Sequence, residues 1–160
     1  MRLYLVNPGN PVVTLNKVRW GRLNRYRVWK PLGLLVGAGL TPPAWDVTLL
    51  DENLNRPDYG CLPKPDLVGI TAFTAQAPRA YEIAAMYRAM GVSVVMGGIH
   101  ATFCCEEALE HADAVVTGAA ESVWGQVLAD ASSHALRRVY QGGRSAMEAI
   151  PPARHDLLRG

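Results

Sequence analysis

The chain has 160 residues, of which 49% are hydrophobic and 19% charged, and its formal net charge is +2. That size suits one domain with a real core, and the composition excludes a disordered chain. So small a net charge does not by itself imply nucleic acid, and no apolar run approaches the roughly 18 residues that would span a bilayer.

The N-terminal run Met1 to Val6 breaks at Asn7-Pro8-Gly9, too early for the apolar region of a signal peptide. Leu3 to Val6 therefore reads as a short buried strand. Residues 8–30 are irregular. They carry Lys17, Arg19, Arg22, Arg25, Arg27 and Lys30 without an acid, together with Trp20, Tyr26 and Trp29. Basic residues interleaved with aromatics occur in single-strand nucleic-acid binders, but a solvated loop or a contact with a neighbouring domain is the preferred reading.

Pro31 suits the start of a helix, where a missing N–H costs nothing. Leu32, Leu35, Val36 and Leu40 recur at helical spacing, Gly33 and Gly37 share one face, and Pro42-Pro43 ends the segment. Val47 to Leu50 is a second strand, followed by Asp51-Glu52-Asn53 and a Pro-rich connection over 54–65. Leu67 to Thr71 is apolar on both faces, as a central parallel strand should be. A helix follows, with Ala80, Ile83, Ala84 and Tyr87 as its stripe and Gly91 as its cap. Val92 to Met96 is the fourth strand, stopped by Gly97-Gly98. Then come a short helix over Glu106 to His111, a fifth strand over Ala114 to Thr117 and a helix over Glu121 to Ala131. Val139-Tyr140 is a candidate late edge strand, and no internal repeat is evident.

Strands alternating with crossovers predict an α/β fold: a doubly wound, parallel, five-stranded sheet of flavodoxin-like, Rossmann-like order 2-1-3-4-5. Ligands in such sheets bind at the carboxyl ends of the strands, so the loops at 7–10, 51–53, 71–76, 97–102 and 118–121 matter most. Residues 1–145 form the domain, and 146–160, with Pro151-Pro152, read as a linker.

The strongest local signal is Gly97-Gly98-Ile99-His100-Ala101-Thr102. Two glycines after a strand let a backbone approach a large flat ligand, or simply make a tight turn. His100 reads as a metal ligand, a donor to a ligand or a buried histidine held by backbone; with no partner evident in sequence the metal reading is weak. Thr71 and Thr74 hold ligand amides or cap the next helix, and capping is the simpler role. Glu121 caps its own helix or accepts from a ligand. The cysteines, Cys61, Cys104 and Cys105, read as reduced thiols of a cytoplasmic protein. No CxxC or CxxxCxxC is present to ligate an iron–sulfur cluster, and there is no GxSxG, HExxH, P-loop or GxGxxG. The chain alone therefore lacks a catalytic constellation. Asp51-Glu52 ends a strand as phosphoacceptor carboxylates do, but no lysine lies beyond Lys64, and that reading is set aside.

Asn7-Pro8, Pro31 to Leu35, Trp45 to Asn53, Pro65 to Thr71, Gly97 to Thr102 and Asp113 to Glu121 succeed one another in a characteristic order. In that order the chain resembles the N-terminal cobalamin (B12)-binding domain of B12-dependent radical SAM proteins, which include methyltransferases and a cyclase of chlorophyll synthesis. The resemblance covers nearly the whole chain. It implies a module that holds cobalamin over the strand ends, with a barrel in cis that carries S-adenosylmethionine and a [4Fe-4S] cluster. It also implies that Gly97, Gly98, Ile99, His100 and Ala101 line the corrin. Thr71, Ala72, Phe73 and Thr74 would meet its edge or tail, Gly118 and Glu121 would close the far side, and Asn7 and Pro8 would lie beneath. Gly33 and Gly37 would leave room for the nucleotide tail. Members that supply an axial histidine carry DxHxxG after the first strand. Here that loop is Asn7-Pro8-Gly9-Asn10-Pro11, so base-off, His-off cobalamin is expected, and Gly98→Val is expected to clash with the corrin. Where relatives show Gly-Glu, this chain has Gly118-Ala119. The alternatives are an interaction or substrate-selecting domain that keeps the fold without a corrinoid, and a flavin or nucleotide binder. The prolines of the first loop argue against the last.

Overall fold

The computed structural model describes residues 1–11, 30–144, 146 and 150–158. The basic stretch expected to meet a neighbouring domain, 17–30, lies outside these residues except for Lys30.

Six strands form one sheet in the order β2-β1-β3-β4-β5-β6. They are β1 (Arg2–Asn7), β2 (Asp46–Asp51), β3 (Leu67–Thr71), β4 (Ser93–Gly97), β5 (Ala114–Thr117) and β6 (Val139–Gln141). Every pairing is parallel. The expected order of the first five is found, but the sheet has six strands, not five. The sixth is short, and only Tyr140 of its three residues is buried, so it leaves almost no apolar pattern in the sequence. It is held by register with β5, Val116 opposite Tyr140, and by the Tyr140 hydroxyl, which donates to Asp130 at 2.8 Å.

The helices are α1 (Leu32–Leu40), α2 (Ala77–Ala89), α3 (Gly98–Phe103), α4 (Cys105–His111) and α5 (Trp124–Ser132). Strand alternation sends Tyr4, Val6, Val68, Ile70, Val94 and Met96 to one face, where they pack with α2 and α4. Leu3, Leu5, Leu67, Val95 and Val116 go to the other face, beneath α1 and α5. This two-sided burial is why the central strands read as unbroken apolar runs. Gly91 ends α2 with φ +68°, a left-handed cap as expected.

Two helical segments differ from expectation. Residues 98–103, expected as loop, are helical, because Cys104 N–H closes a turn on the His100 carbonyl at 2.8 Å. The element is too short to show a 3.6-residue stripe. The segment expected as one helix from Glu121 is a 3₁₀ turn over Ala120–Ser122 followed by α5 from Trp124. Residues 150–158, expected as linker, lie against α1: Arg154 N–H donates to the Leu35 carbonyl at 3.0 Å, and Leu157 joins the core on that face.

Candidate functional site

At the carboxyl ends of β1, β3, β4 and β5, on the α1 and α5 face, the sheet opens into a cleft of about 300 Å³. It sits beside the β1/β3 pair, where the strand order reverses; such switch points are where open α/β sheets bind ligands. Leu5, Val95 and Val116 contribute its apolar side chains, Gly69, Gly97 and the Ile70–Thr71 end of β3 its floor, and Gly33, Leu34 and Gly37 of α1 one wall. Gly118, Ala119, Ala120, Glu121 and Trp124 form the opposite wall.

The glycines there are not equivalent. A Cβ at Gly33 would meet nothing within 4 Å, and one at Gly37 would only touch the Trp124 ring at 4.0 Å. One at Gly97 would make ordinary contacts with Val116 at 3.7 Å and beyond. These three positions tolerate a side chain as far as the protein is concerned, and their bareness keeps the cleft open. Gly69 has a packing reason instead: its Cβ would approach Leu5 at 3.1 Å and Trp124 at 3.4 Å, so the missing side chain lets the indole lie on the sheet. Trp124 is fixed at its far edge, where Nε1–H donates to Thr41 Oγ1 at 2.9 Å.

Gly98 also borders the cleft, but the protein itself demands it. Its φ is +93°, and a Cβ would fall 2.6 Å from Thr71 Oγ1 and 3.0 Å from the Ala72 backbone. Gly98→Val would thus collide with β3 before any corrin, which corrects the expectation that such a variant reports on a ligand. The Thr102 hydroxyl, which donates to the Gly98 carbonyl at 2.9 Å and accepts from Gly118 N–H at 3.1 Å, ties both glycine turns together.

Of the residues singled out in sequence, Thr71, Gly97, Gly98, Gly118 and Glu121 line this cleft, as do Gly33 and Gly37. Ala72 and Ala101 are packed inside the protein. Phe73 and Ile99 are exposed apolar side chains at the strand ends, and Thr74 is exposed. Neither Thr71 nor Thr74 caps the following helix. Phe73 N–H is taken by Gln76 Oε1 at 3.0 Å instead. Trp124, Leu34 and Gly69 were not singled out, because an aromatic at a helix start and a glycine in a strand give no ligand signal without the fold.

Asn7 and Pro8 are engaged in a buried polar network. Asn7 Nδ2 donates to Asp51 Oδ1 at 3.1 Å, and Gln76 Nε2 donates to Asn7 Oδ1 and to the Pro8 carbonyl. Asn53 Nδ2 also reaches the Pro8 carbonyl, at 3.0 Å. Beside it, Glu52 accepts from Gly9 N–H at 2.8 Å, from Tyr59 and from the fork of Arg79 at 2.7 and 3.0 Å. Burial alone would raise the Glu52 carboxyl, but these donors outweigh it and hold it below the usual carboxylate range. The network clamps the first loop onto the end of β2 and onto α2.

His100 turns away from the cleft. Its ring is buried, with Nε2 2.7 Å from the Tyr81 hydroxyl and 3.7 Å from Glu107 Oε1. The partners missing in the sequence reading are supplied by the fold. Among the described residues, no histidine lines the cleft.

A model of B12-binding domains matches residues 21–128. The chain belongs to the B12-binding domain family. Its relatives include two enzymes of Chlorobaculum tepidum, named bacteriochlorophyllide d C-8(2)-methyltransferase and bacteriochlorophyllide d C-12(1)-methyltransferase. The first is 41% identical over 68% of this chain, the second 35% over 69%. An uncharacterized methyltransferase of Pyrococcus horikoshii is 38% identical over 61% of the chain. The chain spans about a quarter of the length of each relative, 24%. No helix among the described residues is long and apolar enough to cross a membrane.

The cleft's chemistry fits the family's cofactor. Gly33 and Gly37 on one wall and Gly97 on the floor leave room for a flat heterocycle, the lining is mostly apolar, and Thr71 and Glu121 are its polar side chains.

Proposed function

We propose that this chain is the cobalamin-binding module of a B12-dependent radical SAM enzyme of the methyltransferase or cyclase type. Cobalamin sits base-off over the carboxyl ends of the strands, with its nucleotide tail in the cleft between α1 and Trp124. Bound there, it supplies a cobalt able to carry a methyl group. The chain's own part is to hold it: Gly33, Gly37 and Gly97 make room, Trp124 and the strand side chains exclude water, and Thr71 and Glu121 meet polar groups. The remaining chemistry belongs to a barrel in cis, reached through 146–160, which holds S-adenosylmethionine and a [4Fe-4S] cluster; a cytoplasmic setting suits both. The names of the bacteriochlorophyllide relatives favour methyl transfer over cyclisation.

The observation that carries this reading is the open, glycine-floored cleft at the switch point. A domain that had kept the fold only for interaction would be expected to fill the space over Gly97 with side chains. The His-off state is supported by the histidine-free first loop and by His100 being turned toward Tyr81.

The test is a visible-absorption titration of the purified chain with hydroxocobalamin, followed by gel filtration. We expect a retained corrinoid with a base-off spectrum. A histidine-ligated spectrum would refute the His-off state, and loss of the corrinoid on the column would refute binding by this chain on its own.

A further inference from the structure

On the sheet face opposite the cleft, one group of metal-ligating side chains is brought together among the described residues: His100, Cys104 and Glu107. Their ligand atoms all lie within 4.8 Å of one another. His100 and Glu107 both reach the Tyr81 hydroxyl of α2, and Cys104, at the non-helical junction between α3 and α4, stands beside them. We propose that His100 Nε2, Cys104 Sγ and the Glu107 carboxylate bind a divalent ion of the zinc class.

The donor set selects the metal. One imidazole, one thiolate and one carboxylate suit borderline Zn²⁺ and are a poor match for Mg²⁺ or Ca²⁺, which take oxygen ligands. Tetrahedral zinc with bonds of roughly 2.0–2.3 Å needs ligand atoms about 3.3–3.8 Å apart. His100 Nε2 and Glu107 Oε1 already stand at 3.7 Å. The partly exposed Cys104 and the exposed Glu107 are free to close the remaining gap by a small rotation. Three protein ligands leave a fourth position for water on the Glu107 side.

The supporting groups are also in place. A ligating histidine uses its other ring nitrogen to hold its orientation, and His100 Nδ1 lies 3.4 Å from Thr74 Oγ1. The Tyr81 hydroxyl already donates to Glu107 Oε1 at 3.0 Å, and keeps that bond when the ion takes the imidazole lone pair. A buried histidine satisfied by a tyrosine would explain Tyr81 and Thr74 alone. It does not account for the Cys104 thiol, whose sulfur stands within 4.8 Å of both the His100 nitrogen and the Glu107 oxygen.

The test uses the reduced, corrinoid-free chain titrated with Co²⁺, then with Zn²⁺. We expect one cobalt per chain, with intense visible bands of a tetrahedral ion and a thiolate-to-cobalt charge-transfer band, all bleached by Zn²⁺. Cys104→Ser should abolish the charge-transfer band, and Glu107→Gln, on an exposed helix surface, should weaken cobalt binding at least ~10-fold. Cys61→Ser and Cys105→Ser should change neither. Absence of the charge-transfer band in the unaltered chain would overturn the proposal. So would its persistence in Cys104→Ser, or unchanged affinity in Glu107→Gln with native circular dichroism.

Discussion

Gly98 and Gly33 both border the cleft, yet the structure gives them opposite costs. At Gly98 a side chain meets a positive φ and a 2.6 Å approach to Thr71, so Gly98→Ala should lose at least ~2 kcal/mol of stability. At Gly33 an added Cβ meets nothing, so Gly33→Ala should gain up to about 1 kcal/mol from helix propensity. Urea melts of the two variants check both signs. Glu52 makes the second case at this scale. Its carboxyl is held low in the folded state, so its contribution is present above the unfolded carboxylate value and fades as pH falls through the folded one. Glu52→Gln should therefore cost ~1–3 kcal/mol at neutral pH. The difference from the unaltered chain should narrow as pH falls below the ordinary carboxylate range. A gap that stays constant as acid is added through and below that range would mean that packing, not charge, accounts for Glu52.

At the scale of elements, the cleft exists because α1 and α5 stand apart at their ends over the strands while staying joined elsewhere. Trp124 makes that joint: its ring lies over Gly69 and its Nε1–H holds Thr41 at the end of α1. Trp124→Phe keeps most of the packing and removes the hydrogen bond, which should cost about 1 kcal/mol. It should also reduce the quenching of tryptophan fluorescence by added hydroxocobalamin, since the indole lines the cleft. Equal quenching in the variant would put the ligand elsewhere. The same elements show what the sequence could and could not tell. β1, β3 and β4 were legible because strands buried on both faces leave unbroken apolar runs, and α2 because its stripe repeats over thirteen residues. The switch-point location followed from strand order alone. β6 was nearly invisible, with one buried residue in three. α3 was lost because six residues cannot display a period, and with it went the His100–Cys104–Glu107 group, whose members meet only through the turn between α3 and α4. Gly33 and Gly37 were found from a face shared at i and i+4. Gly69 and Trp124, which meet only across the sheet, were not.

The whole molecule is arranged as two faces around one sheet. The cleft lies on one face, the His100 cluster on the other, and α3 carries residues of both, with Gly98 bordering the cleft and His100 packed against α2. A ligand that fills the cleft binds only the folded chain, because the walls come from α1, four strands and the start of α5. Folding and binding are therefore linked, and ligand at about 100 times its dissociation constant should add ~2.7 kcal/mol. For a domain of this length that raises the melting temperature by about 5–10 °C. Differential scanning fluorimetry with hydroxocobalamin, monitored by light scattering to avoid corrin absorbance, measures the shift. Gly33→Leu supplies the control. Its side chain grows from an unobstructed helix position into the cleft, so the variant should melt no lower than the unaltered chain when free, yet lose most of the rise on adding the corrinoid. A full rise in Gly33→Leu would exclude the cleft as the binding place. A variant that melts low without ligand would mean that α1 at this position needs its glycine for the fold, as β3 needs Gly98.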